Sequence, residues 1–167
     1  ENAIKHALMV AAAEGKMLDF TNAQGILCLR LNAQQPFLLG KVKSIELVSN
    51  SKYLSGVVRT VYNTVDDKPI AEVVSEGNKI LTINMSEAYQ QKLPASQTNS
   101  WAEYYIPMIV DEYPKDDMKI VINWTDSDKT PYQKVIGISV PIKRSEIYVL
   151  SHTILGSNFD GGIENVN

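Results

Sequence analysis

Apolar and polar residues alternate with a period of two through much of the chain, and that period belongs to β-strands with one face buried and the other wet. The clearest run covers residues 118–124, where Met118, Ile120, Ile122 and Trp124 share one face while Lys119, Val121 and Asn123 take the other. A slip of one residue would turn all four apolar side chains to water. The pattern therefore predicts Met118, Ile120, Ile122 and Trp124 buried together, with Lys119 and Asn123 exposed. Similar runs occupy residues 25–31, 43–49, 104–110 and 134–140. Segments 56–62, 70–75, 79–84 and 146–153 add β-branched and aromatic content. Together they predict about nine strands.

Turn-forming clusters separate these runs at residues 32–36, 49–52, 66–69, 76–78, 114–117 and 126–131. Short strands punctuated in this way suit an all-β, antiparallel sandwich or barrel. Helical signals are few. Residues 7–16 are alanine-rich and are open to either helix or strand. Residues 86–91 fit one helical turn, with Ser86 at its N-cap and Pro94 as its stop. The polar stretch 94–100 reads as a loop across one end of the sandwich. After Leu155 the residues are small and polar, a tail or linker. The resulting division is an N-terminal segment over 1–20, open to reading as the end of a preceding domain, a β-sandwich over 21–155 and a polar tail or linker over 156–167.

Composition narrows the functions open to such a domain. The chain has 167 residues, 44% hydrophobic and 21% charged, with a net charge of -3. Its lysines and arginines are scattered among acids, which leaves no basic stripe for a phosphate backbone and excludes nucleic acid as a partner. No apolar stretch approaches the roughly 20 residues that span a bilayer. The chain opens at Glu1, without methionine and without a signal-peptide pattern, as a trimmed or mature piece of something longer would.

Candidate chemistry is sparse. The single cysteine, Cys28, has no partner for an internal disulfide and alternates with Leu27 and Leu29, as a buried structural thiol does. The two histidines, His6 and His152, have no second ligand at metal spacing and read as surface or edge residues. The acidic pairs Asp111–Glu112, Asp116–Asp117 and Asp126 with Asp128 lack calcium-loop spacing and read as solvated turn charges. Neither a catalytic constellation nor a cofactor is expected. Asn84 and Asn123 each begin a glycosylation sequon, a weak signal. Trp101, Tyr104 and Tyr105 form an aromatic cluster that would suit a sugar-stacking platform, whereas Trp124 continues the apolar face of its strand and reads as core.

The order of several elements resembles the fimbrillin-like proteins of Bacteroidetes over roughly residues 8–155. Phe20 to Asn22 precede a short apolar strand at 26–31; Ser44 to Ser49 and Leu54 to Gly56 follow; then come Tyr105 to Pro107, the strand 118–126 and Ile142 to Ile147. The chain departs from the family pattern in its tail, and it begins where the first domain of such proteins would be ending. The resemblance therefore implies that it corresponds mainly to the second domain. The resemblance implies a transthyretin-like, Greek-key sandwich in a surface lipoprotein of the outer membrane or fimbrium of a Gram-negative bacterium. Its lipid anchor would lie upstream of Glu1. Subunits would join each other, or other fimbrial subunits, by strand addition at a sheet edge, and a host protein or glycan is a further expected partner.

The leading functional expectation is thus a structural, adhesive surface protein without enzymatic activity. The alternative is a carbohydrate-binding module of a glycan-uptake system, using Trp101, Tyr104 and Tyr105. Strand exchange requires an open edge or one closed by a removable terminal strand, for which residues 6–13 are the candidate.

Overall fold

The computed structural model of the chain describes residues 9–14, 17–34, 40–63, 68–126, 128–155 and 163–165. Among them are twelve strands: β1 (Met9–Glu14), β2 (Met17–Asn22), β3 (Gly25–Ala33), β4 (Lys41–Ser49), β5 (Ser55–Asn63), β6 (Lys68–Asn78), β7 (Ile80–Asn84), β8 (Ala102–Met108), β9 (Asp111–Thr125), β10 (Pro131–Ile142), β11 (Ile147–Ile154) and β12 (Ile163–Asn165). The nine strands expected from the alternation are β3 to β11. Among the described residues, helix is confined to two 3₁₀ turns, Glu87–Tyr89 and Ser96–Thr98. Ser86 precedes the first of them, but its side chain makes no capping hydrogen bond.

Strand order makes this an all-β sandwich. One sheet runs β12-β10-β9-β4-β7 and the other β11-β3-β8, while β1-β2 and β5-β6 are separate two-stranded ribbons. Neighbours pair antiparallel except for β11 beside β3 and β12 beside β10, which are parallel.

The period-two positions meet between the sheets. Ile45 and Leu47 of β4, Met118, Ile120, Ile122 and Trp124 of β9, and Ile136 and Ile138 of β10 face Leu27, Leu29 and Leu31 of β3 and Ile106 and Met108 of β8, all of them buried. Each such side chain contributes roughly 1.5–3 kcal/mol of burial free energy. The predicted burial of the β9 face is therefore observed. Its opposite face differs from expectation: Lys119 and Asn123 are half-buried, not exposed. The reason is that β9 is an interior strand, flanked by β4 and β10. The Asn123 amide donates to Ser44 Oγ at 3.0 Å and accepts from Gln133 Nε2 at 2.9 Å.

The turn expected at 114–117 is instead part of β9. Met118 pairs with Ile138 and Tyr113 with Val140, so residues 114–117 stand opposite Ser139 alone as a wide irregularity in the ladder. Asp117 is 7% exposed there, which corrects its reading as a solvated charge. Its carboxylate accepts from the Ser49 hydroxyl and from the Ser51 backbone N–H at 2.7 Å, so the connection after β4 winds around it.

The N-terminal segment takes the strand alternative. Residues 6–8 lie outside the described residues, and β1 pairs with β2 in full register from Met9↔Asn22 to Glu14↔Met17. It therefore belongs to a local hairpin, and of the two alternatives, an open edge or one closed by this segment, β1 does not supply the second. A short loop costs less entropy to close than a long one, which favours β2 as the partner. In the polar stretch after Leu155, Ile163–Asn165 adds to β10 as a strand.

Candidate functional site

One side of the sandwich is held shut by the passage from β10 to β11. Ile26 N–H donates to Glu146 O at 3.0 Å and Ser145 N–H to Gln24 O at 3.1 Å, tying residues 143–146 to the start of β3. One end is crossed by residues 91–95. Val42 N–H donates to Gln91 O, Leu93 N–H to Gly40 O and Ala33 N–H to Pro94 O, with Leu93 fully buried.

The opposite side is different. There the two sheets end in β7 and β8, each bonded to a sheet on one flank only. A cleft of about 390 Å³ lies between them, walled by Ile83 and Met85 on one side and by Tyr104, Tyr105 and Ile106 on the other. Successive residues of an antiparallel strand direct their N–H and C=O groups to alternate flanks. In the β7 region Lys79 O accepts from Ser49 N–H and Met85 N–H donates to Lys43 O, so the odd-numbered residues bond β4. Thr82 and Asn84 then direct theirs to the open flank. On β8, Glu103 O accepts from the Gln91 side chain at 2.7 Å, so Glu103, Tyr105 and Pro107 direct theirs outward from β3. Pro107 has no N–H to offer, a residue typical of sheet edges.

This cleft was not foreseen, because a strand's place in the sheet order is not written in its own pattern. Pro107 was the available signal that β8 is an edge.

The predicted aromatic platform does not assemble. Tyr104 pairs with Leu29, is 6% exposed and points into the core, whereas Tyr105 pairs with Cys28 on the outer face of the same sheet. Adjacent strand residues take opposite faces, which separates the two rings. Trp101 is half-buried, with the Arg30 guanidinium 5.5 Å from its ring centroid. Arg30 also pairs with Glu103 at 3.0 Å. Trp124, read as core, is buried and stacks on Tyr132 with centroids 5.7 Å apart.

The outer face of β8 is a small polar network. Tyr105 donates its hydroxyl to Glu103 Oε2 at 2.9 Å. That bond, with the neighbouring Cys28 thiol, pushes the Tyr105 phenol up to about 12. Cys28 is 3% exposed, and burial pushes its thiol up, as for a structural cysteine.

His152 corrects another expectation. It is buried on the inner face of β11, opposite Leu31, because Tyr148, Leu150, His152 and Ile154 follow one period-two face. His6 lies outside the described residues. Among the described residues, no three His, Cys, Asp or Glu side chains gather as a metal site, and no helix is long and apolar enough to cross a membrane. Compared with known proteins, the chain matches no family model and no curated protein.

Proposed function

We propose that this domain is a structural, adhesive component of the cell surface, a fimbrillin-like subunit or relative, and that it assembles by strand addition at the edge formed by β7 and β8. The single observation that carries this reading is the cleft between two sheet edges whose outward backbone groups bond no further strand among the described residues. Such an edge templates an incoming extended segment, with backbone hydrogen bonds supplying affinity and alternate side chains filling the cleft.

The incoming segment is the N-terminal strand of a second copy. β1 is hydrogen-bonded in the hairpin with β2 and belongs to neither sandwich sheet. Its 6 residues approach the 7 of β8. In an extended segment Met9, Ala11 and Ala13 share one face that is apolar throughout, as the apolar walls of the cleft at Ile83, Met85 and Ile106 favour. The glycan-binding alternative has less to stand on, since Tyr104 is in the core and Arg30 covers one face of Trp101.

Sedimentation of the full chain and of a chain lacking residues 1–15 tests the reading. The full chain should form concentration-dependent oligomers. The truncated chain, folded by circular dichroism, should be monomeric and should bind a synthetic peptide of residues 7–14. A full chain that stays monomeric, with a folded truncated chain that binds no peptide, would overturn it.

A further inference from the structure

We propose that Gln91 is a latch on this edge, its side-chain amide standing in for the backbone of the absent strand; the inference rests on the strand-addition reading above. Gln91 is rooted on the five-stranded sheet, where its carbonyl accepts from Val42 N–H at 3.1 Å. Its Nε2 crosses to the other sheet and donates to Glu103 O at 2.7 Å. That carbonyl is an outward group of β8, the kind that an added strand would claim with its own N–H. Gln91 thus occupies an acceptor of the template and at the same time ties the two sheets across the mouth of the cleft.

Its surroundings fit this role. The adjacent Gln90 is committed elsewhere: its Nε2 donates to Met85 O at 3.1 Å, and its Oε1 accepts from Lys43 Nζ at 2.8 Å. This network fixes the segment from which Gln91 projects. The facing edge carries a comparable device, because Asn78 Oδ1 accepts from Ile80 N–H at 2.9 Å, one of the outward groups of β7. A side-chain amide therefore satisfies one outward group on each exposed edge in the isolated domain. A bare edge pairs with any extended chain. An edge whose acceptor is already filled yields only to a segment whose side chains also fit the cleft. The incoming strand must first break the Gln91 bond, so its affinity is lowered by the net worth of one hydrogen bond, a factor of roughly two to ten.

The experiment measures binding of a fluorescein-labelled peptide of residues 7–14 by fluorescence polarisation. It uses the full chain, diluted below its self-association range, and variants Gln91→Ala, Gln91→Glu and Gln97→Ala. Gln91→Ala should bind the peptide roughly two- to tenfold more tightly than the unsubstituted chain. Gln97 donates to Gln34 O, away from the cleft, so Gln97→Ala should leave affinity unchanged. Gln91→Glu keeps the size of the side chain and loses the donor, and so reads the same effect if the alanine variant does not fold. Equal affinity of the folded Gln91 variants and the unsubstituted chain overturns the latch and leaves strand addition standing. Peptide binding by none of the proteins overturns strand addition, and the latch falls with it.

Discussion

The Asp117 carboxylate accepts a hydrogen bond from the Ser49 hydroxyl at 2.5 Å, joining the end of β4 to the irregular stretch of β9 across 68 residues of sequence. The Ser49 oxygen in turn accepts from Lys52 N–H at 2.8 Å, and Ser51 N–H donates to the other carboxylate oxygen. Replacing Asp117 by alanine leaves a buried hydroxyl and a backbone N–H without their acceptor. Urea denaturation should show a loss of roughly 1.5–3 kcal/mol. Asp116 is exposed, and Asp116→Ala should change stability by about 0.5 kcal/mol or less.

The same group makes stability depend on pH. Burial pushes the Asp117 carboxyl up, but hydrogen bonds from Ser49, Ser51 and the backbone of this turn outweigh burial and hold it below its ordinary value. A carboxyl with a depressed folded pKa stabilises the protein above its unfolded pKa of about 3.9, and that contribution fades as pH falls through the folded value. Denaturation midpoints should therefore separate the unsubstituted chain from Asp117→Asn at pH 7, and the gap should narrow once the pH drops below about 4. A gap that widened on acidification would contradict this assignment.

Tyr104 and Tyr105 are neighbours in sequence with opposite fates. Removing the buried ring, Tyr104→Ala, should cost roughly 3–5 kcal/mol, and removing the outer one, Tyr105→Ala, about 1 kcal/mol or less. The Tyr104 hydroxyl is buried and finds no hydrogen-bond partner among the described residues. Tyr104→Phe removes that stranded group and should be neutral or slightly stabilising in thermal unfolding.

Most of the sandwich was legible in the sequence because its strands are half-buried, and half-burial writes itself as alternation. Met118 to Trp124 is the plainest instance, and the same face on β11 explains why His152 belongs inside. Tyr104 and Tyr105 could have been separated by the rule that placed Cys28 opposite Leu27 and Leu29. β12 was illegible for a physical reason: it is a three-residue addition to an edge. Asp117 was illegible because its partners lie 66 to 68 residues away, so an acidic turn and a buried anchor share one local pattern. The cleft depends on which strands end the sheets, and only Pro107 hinted at that.

Two glycines should respond differently to the same added methyl group. At Gly25 a Cβ would fall 2.3 Å from the Lys143 carbonyl oxygen, on the backbone that joins β10 to β11. That backbone is itself fixed, since Ser145 and Glu146 bond Gln24 and Ile26 on either side of the glycine. Neither partner can retreat without breaking the closure of the sandwich, so Gly25→Ala should cost roughly 1–3 kcal/mol or more. At Gly77 a Cβ would meet the Tyr53 ring at 2.5 Å, also far inside contact distance. Tyr53, however, is exposed, and its ring can swing into solvent by side-chain rotation alone. Gly77→Ala should cost less than about 1 kcal/mol. Thermal unfolding of the two variants decides the matter. A larger loss at Gly77 than at Gly25 would show that the strap from β10 to β11 is not the rigid wall that closes this side of the fold.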